Sequence, residues 1–194
     1  MYKYILWFIA LACLGLAVQA QEPDTSQNLT RGAMLNPELS LQPEAGPLLE
    51  PRALERQKLY TTIDRALVEP EKVYRLDLSG QRLREFPVQI FRLVNLQELN
   101  LSDNKLTELP ANLADLANLQ MLNLTDNKLR TLPDEMREME NLERLYLGEN
   151  RIMEMPAWVG GLAKLRYIDL HRNYITLYEV QKLRERLPHC EIAY

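Results

Sequence analysis

Between residues 144 and 172 the sequence gathers side chains whose types invite chemistry: Arg144, Tyr146, Tyr167, Asp169, His171 and Arg172. Asp169 and His171 stand two apart, so on an extended strand they share a face. A carboxylate beside an imidazole is the pairing of an orienting acid with a general base. A base needs a nucleophile or a metal to act through, and none is evident. The two histidines, His171 and His189, lie in neither an H-x-x-x-H nor a C-x-x-C arrangement, and there is no G-x-S-x-G turn or phosphate loop. No catalytic residue and no metal ligand is therefore assigned, and no cofactor is implied. Tyrosine and arginine instead dominate binding hot spots. With Met121 upstream, the candidate partner-binding set is Met121, Arg144, Tyr146, Tyr167, Asp169, His171 and Arg172.

The elements that must position these residues follow from a repeat. Leu96, Leu119, Leu142 and Leu165 open blocks 23 residues apart, and Val73 opens a weaker first one. The third block, Leu119–Leu122–Leu124–Asn127–Leu129–Leu132–Pro133, follows L-x-x-L-x-L-x-x-N-x-L-x-x-L-P. Leucines two apart (Leu99 and Leu101, Leu122 and Leu124, Leu145 and Leu147) put their side chains on one face of a short strand. No block can bury them alone, so the blocks must stack with one parallel strand each. Each buried leucine contributes roughly 1.5–3 kcal/mol.

Asn104, Asn127, Asn150 and Asn173 recur where the chain leaves the strand. A carboxamide holds donors and an acceptor, so this column is expected to satisfy loop backbone inside the stack, not to bind a ligand. The first block carries Gln81 instead. Pro87, Pro110, Pro133 and Pro156 end the pairing. Apolar residues three and six positions later, such as Leu113 and Leu116, predict short helical or 3₁₀ turns on the convex side.

These residues resemble the leucine-rich-repeat family in its 23-residue L-P subtype, similar to Ras-suppressor-like proteins and short secreted bacterial repeat proteins. The resemblance covers about 73–177. It implies an α/β solenoid with a parallel sheet on its concave face, turns on its convex face and a helical cap at each end. It also implies a binding face rather than a catalytic pocket.

The N-terminal cap is placed at 53–72. Ile63, Ala66 and Leu67 share a helical face, Thr61 and Asp64 stand as a capping box, and Pro70 stops the helix. The C-terminal cap is placed at 178–194. Val180, Leu183 and Leu187 keep helical spacing, Lys182, Arg184 and Arg186 fall near the helix end, and the final Cys-Glu-Ile-Ala-Tyr forms a closing strand. Residues 1–20 read as a secretory signal: Lys3, an apolar run from Tyr4 to Leu16, and cleavage near Ala20. That places the protein outside the cell or in the periplasm or envelope. Cys13 only weakly matches a lipoprotein box, so lipid anchoring is not favoured. Residues 21–52, with five prolines, are expected to be a flexible linker. Cys190 is then the single remaining cysteine, expected as a small covered residue in the cap.

The formal charge is −4, or −5 once Lys3 is removed. That argues against a nucleic-acid partner, for which a basic surface is expected. The mature chain is expected to have no integral membrane span and to be a monomer. Residues between the strand leucines face the concave surface in columns: Arg75, Glu98, Met121, Arg144, Tyr167; then Asp77, Asn100, Asn123, Tyr146, Asp169; then Ser79, Ser102, Thr125, Gly148, His171. The expected function is non-catalytic docking of a protein or peptide on that face. An envelope adhesin or glycan binder is the alternative, and an intracellular signalling scaffold requires the N-terminal signal to be misread.

Overall fold

The computed structural model describes residues 45–194. The expected signal, its cleavage point, Cys13 and most of the expected linker lie outside the described residues. The described residues form one seven-stranded parallel sheet in sequential order, β1 to β7. The strands of the five repeats are β2 (Arg75–Asp77), β3 (Glu98–Asn100), β4 (Met121–Asn123), β5 (Arg144–Tyr146) and β6 (Tyr167–Asp169). Each pairs with the next at an offset of 23 residues, so Leu76, Leu99, Leu122, Leu145 and Ile168 stack in register. All five are buried, as are Leu78, Leu101, Leu124, Leu147 and Leu170. The convex return of each of the first four repeats is a 3₁₀ turn that follows its proline: Val88–Arg92, Ala111–Asp115, Asp134–Glu138 and Ala157–Gly161. Ile90, Leu113, Met136 and Val159 point from these turns into the core. Trp158 is half-buried against that core, and its indole N–H donates to Asp134 Oδ1 one repeat earlier at 3.1 Å.

Two rows of carboxamides stitch the repeats. At the strand exit, Asn127 Nδ2 donates to Leu101 O at 2.9 Å and Leu124 O at 3.1 Å, and its Oδ1 accepts from Leu106 N at 2.9 Å. Asn104, Asn150 and Asn173 make the same set of bonds. This geometry holds the preceding residue in the left-handed region. Asp103, Asp126, Glu149 and Arg172 have φ of 52° to 56°, and Gly80 takes the place in the first repeat at 69°. Such a conformation is costly for a residue with a Cβ unless its surroundings enforce it. At the strand start a second row was not anticipated. Asn95, Asn118 and Asn141 each donate Nδ2 to a backbone carbonyl 24 residues earlier, Glu71 O, Val94 O and Ala117 O, at 2.7, 3.3 and 2.8 Å.

The ends differ from expectation in several ways. The N-terminal cap holds α1 (Pro51–Glu55), a strand β1 (Leu59–Tyr60) paired with β2, and a single helical turn α2 (Ile63–Ala66). Thr62, not Thr61, caps α2, and no side chain closes that turn, so the expected capping box is absent. Pro70 opens a further 3₁₀ turn, Pro70–Lys72. The expected linker also stops short of 52. Gly46 N donates to Asn95 Oδ1 at 2.6 Å, Gly46 O accepts from Asn118 Nδ2 at 3.2 Å, and Leu49 N donates to Gln97 Oε1 at 3.2 Å. These side chains satisfy the backbone of Gly46 and Leu49 as a strand partner would, and so draw the segment onto the first and second repeats. At the other end α3 (Leu177–Arg186) is capped by Thr176, whose Oγ1 accepts from Glu179 N. Lys182 lies mid-helix, bonded to Glu179 and over the Tyr178 ring, so only Arg184 and Arg186 reach the last turn. β7 (Glu191–Ala193) then pairs with β6. Cys190 is half-buried, and burial pushes its thiol up to about 11, far from a reactive thiolate.

Replacing Asn127 by alanine leaves the buried Leu106 N–H without its acceptor, which costs about 1–3 kcal/mol. Its urea midpoint should fall well below wild type, whereas Gln81→Ala, at an exposed position, should stay within about 0.5 kcal/mol. Equal midpoints for the two variants would contradict the ladder.

Candidate functional site

The register places the three columns side by side on the concave sheet. The middle column is largely committed to the chain itself. Ser79 N donates to Asp77 Oδ1, Ser102 N to Asn100 Oδ1, Thr125 N to Asn123 Oδ1 and His171 N to Asp169 Oδ1, all at 2.9–3.0 Å. Each is a carboxylate or carboxamide closing the turn two residues ahead. Tyr146 stands at that place in the fourth repeat and has no carbonyl to offer. It presents a ring instead, packed on Tyr167 with centroids 5.2 Å apart and planes tilted by 48°. The Tyr167 phenol is held above its usual range by burial first, then by the Asp169 charge.

Arg144 is not a free cation. Its guanidinium lies 3.6 Å from Glu98 Oε1, although Glu98 belongs to the strand two repeats earlier, with Met121 between them in the column. Glu98 is buried, and its other oxygen accepts from Arg75 Nε at 2.6 Å. One carboxylate therefore joins Arg75 of the first repeat to Arg144 of the fourth. Reading the columns alone missed this role, because it spans a skipped repeat.

His171 sits between two acids. Its Nδ1 is 2.6 Å from Asp169 Oδ1, and its Nε2 is 3.6 Å from Glu149 Oε1, which also accepts from Arg172 at 3.0 Å. The ring rests on Gly148: a Cβ there would lie 2.2 Å from His171 Cε1. The missing side chain in a column of Ser79, Ser102 and Thr125 was the readable signal for this seat. Asp169, expected to meet a partner, is instead 8% exposed and occupied by His171 and the turn it closes. The imidazole pKa is raised, first by its bond to Asp169, against the opposing effect of burial, and then by the Asp169 charge and by Glu149. Among the described residues no cluster of acids, histidines and cysteines suits a metal ion. Met121, Tyr146, Tyr167 and His171 remain half-exposed, and Arg144 and Arg172 are exposed.

A stacked, open parallel sheet with one strand and one convex turn per 23 residues defines a leucine-rich solenoid presenting a face, not a cleft. The leucine-rich-repeat family model matches residues 71–129 and 122–175. The chain belongs to the leucine-rich-repeat family. Among solved structures it is similar to a leucine-rich-repeat protein of Leptospira interrogans, at 34% identity and a TM-score of 0.63 over 71% of this chain and 35% of that one. It is also similar in fold to an internalin of Listeria monocytogenes, at 20% identity and a TM-score of 0.50 over 69% of this chain and 37% of that one. The chain thus spans about a third of the length of either. Comparison with curated proteins finds no match. The leucine-rich-repeat fold is a common protein–protein interaction module and is typically non-catalytic. Among the described residues no helix is long and apolar enough to cross a membrane.

The raised imidazole pKa fixes the sign of a pH effect. The folded state favours the charged ring, so its contribution is full below the unfolded value of about 6.5 and is lost as pH rises through the folded value. The stability difference between wild type and His171→Asn should be larger at pH 5.5 than at pH 8.5; the same difference at both would refute the pairing. Gly148→Ala should push the ring off Asp169 and return the His171 pKa, followed by NMR, toward its ordinary value.

Proposed function

We propose that this protein is an exported, non-catalytic recognition module that docks a protein or peptide on the later half of its concave sheet. The observation that carries this reading is the Tyr146–Tyr167 pair, rimmed by Arg144 and His171. Tyr146 stands where most neighbouring strands place a turn-closing Asp or Asn, so its ring is not explained by the repeat frame. Partly exposed aromatics beside guanidinium groups are the usual anchors of an interface. Family membership supports the same class of role, since repeat solenoids bind along their concave sheets. Export rests on the Lys3-led apolar segment and the small residues near Ala20, and mapping the mature N-terminus tests it.

Binding is tested by crosslinked capture from the native envelope fraction with wild type and with Arg144→Ala/Tyr146→Ala/Tyr167→Ala. The variant should keep its fold by circular dichroism and lose at least ten-fold of the captured protein. Equal capture by both would sink the concave reading. Saturable retention on a glycan array instead, lost in the same variant, would assign the tyrosine pair to sugar stacking.

A further inference from the structure

The concave face does not account for the strand-exit edge of the later repeats. There Arg130, Arg151, Met153 and Tyr174 line an open groove of about 300 Å³, mostly apolar in its walls. Met153 and Tyr174 are 68% and 66% exposed, and Leu177 and Tyr178 follow at the start of α3, exposed as well. Half of the large apolar side chains left exposed among the described residues are these four. Both arginines are exposed, and among the described residues neither pairs with a carboxylate. The groove is also rigidly built. Lys128 N, Arg151 N and Tyr174 N donate to Leu106 O, Leu129 O and Ile152 O of the preceding repeat, at 2.8–2.9 Å, so their side chains stand in file one strand spacing apart.

We propose that this groove is a second binding site, independent of the concave face, for an acidic peptide segment carrying an aromatic or aliphatic anchor. A planar guanidinium matches a carboxylate with two parallel hydrogen bonds, and two unpaired ones beside an apolar floor specify a ligand with both features. In an extended peptide alternate side chains lie roughly 6.5–7 Å apart on one face. A carboxylate can then meet an arginine while the next residue but one rests on Met153 and Tyr174.

The surroundings argue against a flat anionic surface. Toward the N-terminus the same edge interleaves Glu85 and Glu108 with Arg84, Lys105 and Lys128. Glu154 follows Met153 without lining the groove. The whole chain carries a net charge of −4. A bilayer would meet these carboxylates together with the arginines, whereas a narrow peptide touches the arginines and the apolar floor alone.

The test is selection of a random 12-residue phage-displayed library on the full-length protein at low salt, repeated on Arg130→Glu/Arg151→Glu and on Tyr174→Ser. All three positions are exposed, and circular dichroism checks that the fold is kept. Peptides rich in Asp or Glu with Phe, Tyr or Leu should be enriched on wild type. A synthetic one should bind at least ten-fold more weakly to either variant, and as well as before to Arg144→Ala/Tyr146→Ala/Tyr167→Ala. No acidic enrichment, equal binding to the arginine variant, or loss in the concave variant alone would overturn the site. So would retention on phosphatidylglycerol vesicles with no peptide selected.

Discussion

From the second repeat to the fifth, each rung of this protein turns out of its strand on one covered asparagine carboxamide. Asn104, Asn127, Asn150 and Asn173 tie three stretches of backbone at once: the strand they leave, the strand of the preceding repeat, and the loop of that preceding repeat. The residue ahead of each is thereby forced into a left-handed conformation it would not choose. That turn sets where the next convex segment begins, and so where the next leucine pair enters the core. A hydroxyl or an alkyl group in its place could not supply both the donors and the acceptor in a site closed to water. The 23-residue strand register depends on this interaction together with the leucine stack.

Against so regular a frame, the departures carry the information. Two of them stand side by side in the fourth repeat. Tyr146 replaces a turn-closing carboxamide, and Gly148 replaces a hydroxyl residue. The fifth repeat answers both: Tyr167 packs on the Tyr146 ring, and His171 lies in the space Gly148 leaves. Asp169 and Glu149 then hold the imidazole from both sides. The face is therefore shaped by pairs of residues one rung apart, where a larger side chain in one repeat answers a smaller or unusual one in its neighbour.

Most of the fold was legible because the leucine and asparagine periods act through a single physical requirement, burial in a repeating stack. The columns followed from strand alternation and the fixed offset. Features that do not repeat were hidden. Strand β1 spans two residues and has no leucine pair to announce it. The bonds from Gly46 and Leu49 to Asn95, Asn118 and Gln97 depend on backbone groups about 50 to 70 positions away, which leave no local pattern. The second asparagine row was visible as Asn-Leu dipeptides at Asn95, Asn118 and Asn141, yet an asparagine before a strand has no unique meaning until its partner carbonyl is known. At the site the residue types were readable, but Asp169 as a covered orienter and Glu98 as a tie between Arg75 and Arg144 emerged only from geometry.

The reach of Arg144 across Met121 to Glu98 has a consequence for how such an array changes over time. A solenoid whose rungs touch only their immediate neighbours can gain or lose a rung anywhere, and its energy changes by one additive step. Here one link skips a rung. A duplication or deletion between the second and fourth repeats would move Arg144 by a whole strand spacing and break or redirect that link, while one outside the interval would leave it intact. The second, third and fourth repeats are thus a linkage group within an otherwise modular ladder, inherited as a block if the face they build is to survive.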